Sequence, residues 1–237
     1  MEERLPGPRR ALLARVGHLA ATQQLPVYLV GGFVRDLLLG LSPTDFDFVV
    51  EGPAPALARL VARELGGEVT VHAPFGTATW FSPEGAVIDF ASARTERYPQ
   101  PAALPVVSAP APISADLSRR DFTINALAVR VDGVYYGQLL DPHHGQADLA
   151  AGIVRVLHPH SFQDDPTRLF RAVRYEQRLG FRIAPETVPL IPGSWAALAA
   201  LTGDRIRHEF EMIFREPNVV PMLARLAELE VLRHVHP

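Results

Sequence analysis

Two aspartates, Asp45 and Asp47, stand two positions apart in Asp45-Phe46-Asp47-Phe48-Val49-Val50, and Phe46 to Val50 reads as a strand from its aromatic and β-branched content. Strand side chains alternate, so the two carboxylates face one side, roughly 6.6 Å apart along the chain. Carboxylates that close repel one another unless a cation lies between them. Magnesium, a hard ion that takes oxygen ligands, is the natural filler. The same pattern also fits a solvated strand edge or a pair of salt bridges to arginine. Two-metal phosphoryl transfer needs a further carboxylate on a neighbouring strand. Asp89 in Val87-Ile88-Asp89-Phe90 is the candidate, because a charge between apolar flanks is costly unless paired or liganded. Asp89 is equally compatible with an ordinary edge aspartate.

Three other clusters suit nucleotide chemistry. Gly31 and Gly32 lie between a strand and a helix, where glycines let backbone approach a triphosphate and aim helix-start N–H groups at it. Arg119-Arg120-Asp121-Phe122-Thr123-Ile124-Asn125-Ala126 offers adjacent guanidiniums for phosphate and polar groups for sugar hydroxyls, or simply a helix cap with a salt bridge. In Asp164-Asp165-Pro166-Thr167-Arg168-Leu169-Phe170-Arg171, helical spacing puts Asp165, Arg168 and Arg171 within about 120° of one another. Leu169, Phe170 and Val173 then form the opposite, core-facing arc. Intrahelical Asp–Arg pairs on a solvated face would give the same pattern.

The elements that position these groups are legible from hydrophobic period. Strands are expected at Val27–Val30, Phe46–Val50, Glu68–His72, Thr77–Phe81, Ala86–Phe90 and Ala126–Val131, and helices at Phe33–Gly40 and Pro55–Leu65. Pro99 to Ser114 is rich in proline and alanine, shows neither period, and reads as an exposed, mobile loop. Beyond about residue 150 the pattern turns helical: Asp165–Leu179, Pro185–Leu201, Asp204–Phe214 and Pro217–Leu232. The expected organisation is an α/β head over 1–150 followed by an all-helical part over 151–237.

Composition narrows the class. The chain has no cysteine, which excludes disulfides, zinc–thiolate sites and thiol catalysis and fits a cytoplasmic setting. No apolar run reaches the roughly 18 residues of a membrane helix, and the N-terminus MEERLPGPRR has no signal-peptide core. The net charge of −3 disfavours a uniformly basic nucleic-acid binder but permits a local cationic stripe. All the Lys+Arg charge is arginine, so side-chain cations for phosphate are guanidiniums.

In order, LVGGFVRDLLLG, DFDFVV, RRDFTINALAV, DDPTRLFRAVRYEQRLGF and GDRIRHEFEMIF resemble the bacterial-type (class II) tRNA nucleotidyltransferase and poly(A) polymerase family, over about residues 27–232. The resemblance implies a head of the DNA polymerase beta-like nucleotidyltransferase fold and a helical neck. It implies that Asp45 and Asp47 hold the two Mg2+ ions, and Asp89 stays the candidate for a further catalytic carboxylate. The region of Gly31, Gly32 and Arg35 would contact the triphosphate, and Arg119, Arg120, Asp121 and Asn125 would bind phosphate and ribose. Asp165 and Arg168 would read the incoming base in place of a template, and Arg171 and Arg174 further along are expected among the nucleotide-binding residues. Cytosine and adenine both set an amine donor beside a ring-nitrogen acceptor, which complements a carboxylate and a guanidinium. Uracil and guanine invert that pattern, at about 1–3 kcal/mol per buried mismatch. The expected reaction adds C, A or both from CTP or ATP to a tRNA 3′ end, releasing pyrophosphate.

Relatives of this type usually continue into body and tail domains that grip tRNA, and this sequence ends about where a body would begin. RNA grip is then expected from further chain, a partner or self-association. Asp164 stands where the family often has Glu. Poly(A) polymerase activity, a non-catalytic nucleotide- or RNA-binding remnant, and small-molecule nucleotidyl transfer are the competing readings. The Asp-x-Asp pair disfavours the remnant, and the base-reading residues disfavour a small-molecule acceptor.

Overall fold

The computed structural model describes residues 5, 7–43 and 46–235. The chain forms two compact units: Met1–Glu96, Val107–Arg120 and Ile124–Gln146 in the first, and Arg97–Val106, Asp121–Thr123 and Ala147–Pro237 in the second.

The strands in chain order are β1 (Val27–Val30), β2 (Phe46–Val50), β3 (Glu68–His72), β4 (Thr77–Phe81), β5 (Val87–Ser92), β6 (Thr95–Arg97), β7 (Val106–Ser108), β8 (Ala128–Arg130) and β9 (Leu139–Leu140), all within the first unit except β6 and β7, which each run across a unit boundary. The main sheet has the order β3-β4-β5-β2-β1-β8-β9. Its neighbours are antiparallel except β2 and β5, which run parallel. Its helices are α1 (Gly7–Thr22), α2 (Gly32–Leu38), α3 (Ala54–Leu65) and α4 (Ile113–Ser118).

The two faces of this sheet differ. On one, Phe48 stacks on Phe90 at 5.2 Å, Trp80 and Ile88 are fully buried, and α3 packs on β4 and β5. The α3 side chains that do this, Ala54, Leu57, Ala58 and Val61, follow the i, i+3, i+4, i+7 spacing of one helix face. Helix α3 stops at Gly66, and Gly67 must also be glycine: its φ is +88° and a Cβ there would lie 2.1 Å from the Phe81 carbonyl oxygen. On the other face, Ile113 and Leu117 of α4 join Tyr28, Val30, Val49 and Ala128 in a buried cluster over β1, β8 and the end of β2. The remainder of that face, across β2, β5, β4 and β3, carries water-facing side chains.

The second unit is helical: α5 (Gly145–Ala151), α6 (Ser161–Asp164), α7 (Thr167–Leu179), α8 (Trp195–Ala199), α9 (Gly203–Phe214), α10 (Val219–Glu228) and α11 (Val231–Val235), with a short parallel ribbon of β10 (Ile153–Val154) and β11 (Arg182–Ile183). Helix α7 packs against α9 and α10 through Leu169, Phe170 and Val173, with Phe170 edge-on to Phe210 at 5.6 Å. It ends at Gly180, whose left-handed backbone returns an N–H to Glu176.

The expected helix from Asp165 starts later, at Thr167. Asp165 precedes a proline and is extended (φ −138°, ψ 94°), as the clash with a following proline ring favours. The expected helix over Pro185–Leu201 is instead two 3₁₀ turns, Val188–Leu190 and Pro192–Ser194, followed by α8, because Pro189 and Pro192 interrupt the ladder. Pro99–Ser114 is less irregular than its composition implies, since it contains β7 and the start of α4. Helix α1 was not anticipated; it carries Pro8 in its first turn and buries Leu13, Val16, Gly17 and Ala20.

Candidate functional site

Asp47 and Asp89 are register partners on the parallel pair β2–β5, and both are exposed. Parallel strands lie about 4.8 Å apart, so the two carboxylates stand side by side on the open half of the sheet. Thr79, opposite Asp89 on β4, donates its hydroxyl to Asp89 Oδ1 at 2.6 Å. Asp45 lies outside the described residues. The apolar flanks of Asp89 do not bury it: Ile88 and Phe90 point to the other face by strand alternation. Adjacent water-facing carboxylates supply an oxygen-only donor set, which suits a hard divalent cation.

Gly31 closes β1 with φ +64° and ψ −129° and caps α2. The Arg120 guanidinium lies against it, with Nη1 2.9 Å from where a Cβ would sit. Gly31 N–H donates to the Leu127 carbonyl at 3.2 Å, so this N–H is committed to the backbone. Gly32 begins α2, and Arg35 Nη2 lies 3.5 Å from its would-be Cβ. Arg35 is buried, donates from Nη1 to Asn125 Oδ1 at 2.8 Å, and pairs with Asp36 at 2.8 Å. It therefore fixes the orientation of the Asn125 amide.

Arg119 and Arg120 converge on Asp116, which is fully buried. Arg119 reaches Oδ1 at 2.7 Å and also pairs with Glu96 at 2.9 Å; Arg120 reaches Oδ2 at 2.9 Å. Burial alone would raise the Asp116 carboxyl, but Arg120 and Arg119 more than offset it and hold it below the ordinary carboxylate range. Arg120 Nε is buried and makes no hydrogen bond among the described residues. Such an orphan donor costs about 1–3 kcal/mol.

In the second unit, Asp121 Oδ2 accepts from Arg171 Nε at 2.9 Å and Nη2 at 2.5 Å. The Asp121 charge raises Arg171 well above the usual guanidinium range. Arg171 thus pairs with Asp121 rather than with Asp165. Asp165 Oδ1 accepts from Thr167 Oγ1 at 2.7 Å and Arg205 Nη2 at 2.6 Å. Arg168 is buried and donates from Nη1 to Ser161 Oγ at 2.6 Å. Buried Arg174 faces Glu209 at 3.5 Å, and its Nε makes no hydrogen bond among the described residues. Burial pushes Glu209 up despite Arg174 and Arg171. So Arg168 and Arg174 are not on a solvated face; each guanidinium is enclosed with polar neighbours.

Sequence reasoning missed the groups that hold these arginines. Asp116 could have been found from its i+3 and i+4 spacing to Arg119 and Arg120. Thr79, Ser161 and Arg205 carry no such local signal, because register and tertiary packing bring them to their partners.

A mixed sheet that opens one half of a face around paired acidic strands, followed by a helical unit, is the head-and-helix architecture of a nucleotidyltransferase. The chain belongs to the poly(A) polymerase head family: residues 27–155 match the Poly A polymerase head domain, and residues 180–237 match the family described as probable RNA and SrmB-binding site of polymerase A. It is 43% identical to an A-adding tRNA nucleotidyltransferase of Halalkalibacterium halodurans, over 98% of this chain and 55% of that protein. It is 45% identical to an A-adding tRNA nucleotidyltransferase of Geobacter sulfurreducens, over 100% of this chain and 27% of that protein. A solved apo structure of a CCA-adding enzyme superposes with a TM-score of 0.94 at 42% identity, covering 98% of this chain and 55% of that one. The chain thus spans about half, or less, of the length of these relatives.

Proposed function

We propose that the chain is the catalytic head and base-selecting neck of a template-independent tRNA nucleotidyltransferase that adds A to the 3′ end, with the head extending to about residue 150. The observation that carries this reading is the Asp47–Asp89 row on an open sheet face, in a unit whose strand–helix turn is overlain by a guanidinium. The names of the two relatives favour A over C.

In this reading Asp45, Asp47 and Asp89 hold two Mg2+ ions, which supply charge neutralisation at the reacting phosphate and a more acidic 3′-hydroxyl. Gly31 and Gly32 keep the turn free of side-chain bulk so that phosphate oxygens approach it. Arg119 and Arg120, oriented by Asp116, provide positive charge for the triphosphate, and the orphan Arg120 Nε supports an acceptor arriving with substrate. Arg35 aligns Asn125 for the sugar. In the second unit Asp165 accepts from the exocyclic amine and Arg168 donates to the ring nitrogen, while Asp121, Arg171 and Arg174 hold the surrounding charges. The 3′-hydroxyl attacks the α-phosphate in line and pyrophosphate leaves, with no covalent enzyme intermediate. Grip on the tRNA body comes from further chain or a second copy, and the absence of cysteine fits work in a reducing cytoplasm.

The test is incubation of the full chain with Mg2+, each labelled nucleoside triphosphate in turn, and tRNAs ending at the discriminator base, at C and at CC. The reading expects AMP added once to tRNA ending in CC. Incorporation of CMP instead would replace A-addition with CC-addition, and long A tails on unstructured RNA would replace it with poly(A) synthesis.

A further inference from the structure

One oxygen of Asp165 is already fully used. Oδ1 accepts three hydrogen bonds, from Thr167 N–H at 3.1 Å, Thr167 Oγ1 at 2.7 Å and Arg205 Nη2 at 2.6 Å. Arg205 is anchored a second time, through Nη1 to the Ala102 carbonyl at 2.9 Å. A guanidinium is a rigid planar fork, so two fixed contacts set its plane and leave it little freedom to turn from Asp165. An oxygen surrounded by three donors has no lone pair left to offer.

The consequence lies in base chemistry. A carboxylate with both oxygens available grips two parallel donors at once. Among the four bases only guanine presents two adjacent donors, N1–H and the N2 amine, on its Watson–Crick edge. Adenine and cytosine present one amine beside an acceptor nitrogen, and uracil presents a single N–H between two carbonyls. An unconstrained Asp165 would therefore suit guanine.

We propose that Arg205 and Thr167 are positioning residues that occupy Asp165 Oδ1, turning a carboxylate suited to guanine into a single acceptor suited to the amine of adenine or cytosine. This inference rests on the reading of Asp165 as the base-contacting acid. It differs from a general fit argument because it concerns guanine alone: uracil has no second donor and gains nothing when Oδ1 is released.

The test compares the full chain with Arg205→Met, which keeps the aliphatic stem, and Thr167→Val, which keeps the shape. Incorporation into tRNA ending in CC and equilibrium binding of ATP, CTP, GTP and UTP are both measured. Arg205→Met, which leaves the two Thr167 donors on Oδ1, is expected to raise GTP relative to ATP by a factor of about 3 to 10, and the double variant with Thr167→Val by about 10- to 100-fold, the worth of one charge-assisted hydrogen bond, while UTP relative to CTP stays unchanged in both. Thr167→Val moves GTP the same way by less, and Arg205→Lys restores part of the exclusion. GTP and UTP rising together, or neither rising, overturns the proposal. Should Arg205→Met lack a cooperative unfolding transition, Thr167→Val decides by the same ratios. A wild-type chain that itself shows no preference for ATP or CTP over GTP and UTP sinks the function reading, whereas a selective wild type with unchanged variants sinks only the role of Arg205 and Thr167.

Discussion

The acids of the two units are treated in opposite ways. Asp47 and Asp89 stand side by side and face water on an open stretch of sheet, and Asp89 accepts a hydroxyl from Thr79. Asp121 and Asp165 in the second unit are each held by arginine, and Glu209 is buried beside Arg174. The first arrangement sets carboxylates at a surface that ligands from solution can reach. The second spends its oxygens in advance, which fixes orientation at the cost of desolvation. In the proposed function, groups that bind ions and groups that discriminate bases thus differ in how exposed they are. Asp116 shows that the contrast is one of role rather than of unit, because it is a buried acid of the first unit that fixes two guanidiniums.

That contrast breaks most visibly where function and stability separate. Asp47→Ala and Asp89→Ala are each expected to lower nucleotide incorporation by about 10³-fold or more, the worth of several kcal/mol of charge stabilisation. Their urea midpoints should barely move, since exposed substitutions stay within about 0.5 kcal/mol; a large loss of stability would mean the acids are structural. Asp116→Ala should do the reverse first. Stranding two guanidiniums around an empty site is expected to cost about 3–5 kcal/mol in urea unfolding, and an unchanged midpoint would contradict the assigned network.

The same acid sets a pH dependence. The folded Asp116 carboxyl lies below its unfolded value, so its contribution is complete above the ordinary carboxylate range and is lost as pH falls through the folded value. Acid titration of stability should therefore be flatter in Asp116→Asn than in the wild type, and parallel curves would count against the pairing. The smallest effect is expected from Thr79→Val. Loss of one hydrogen bond to Asp89 should slow incorporation by about fivefold with no change in nucleotide preference, read from single-turnover rates.

Much of the first unit was legible because its strands alternate. The bounds of β1, β2, β3 and β4 fall where the sequence pattern puts them, and Asp89 stands out in the sequence as a charge between apolar flanks. What alternation could not convey was which face is open, since that depends on α4 covering only the β1–β8 half. A helix from Asp165 would hold Pro166 in its first turn, whereas the proline ring keeps Asp165 extended, so wheel geometry does not place that acid. The partners of Arg171 and Asp165 are hidden for a plainer reason: Asp121 lies 50 positions from Arg171, and Arg205 lies 40 from Asp165. Separations of that size leave no periodic trace.

The most direct measurement is Mn2+ binding, followed by electron paramagnetic resonance, to the full chain in the presence of a non-hydrolysable ATP analogue. Wild type and Asp165→Asn should retain the bound ion with similar affinity, while Asp47→Asn and Asp89→Asn weaken it by about tenfold or more. Equal binding by all four proteins would contradict the assignment of the open carboxylate row as the cation site.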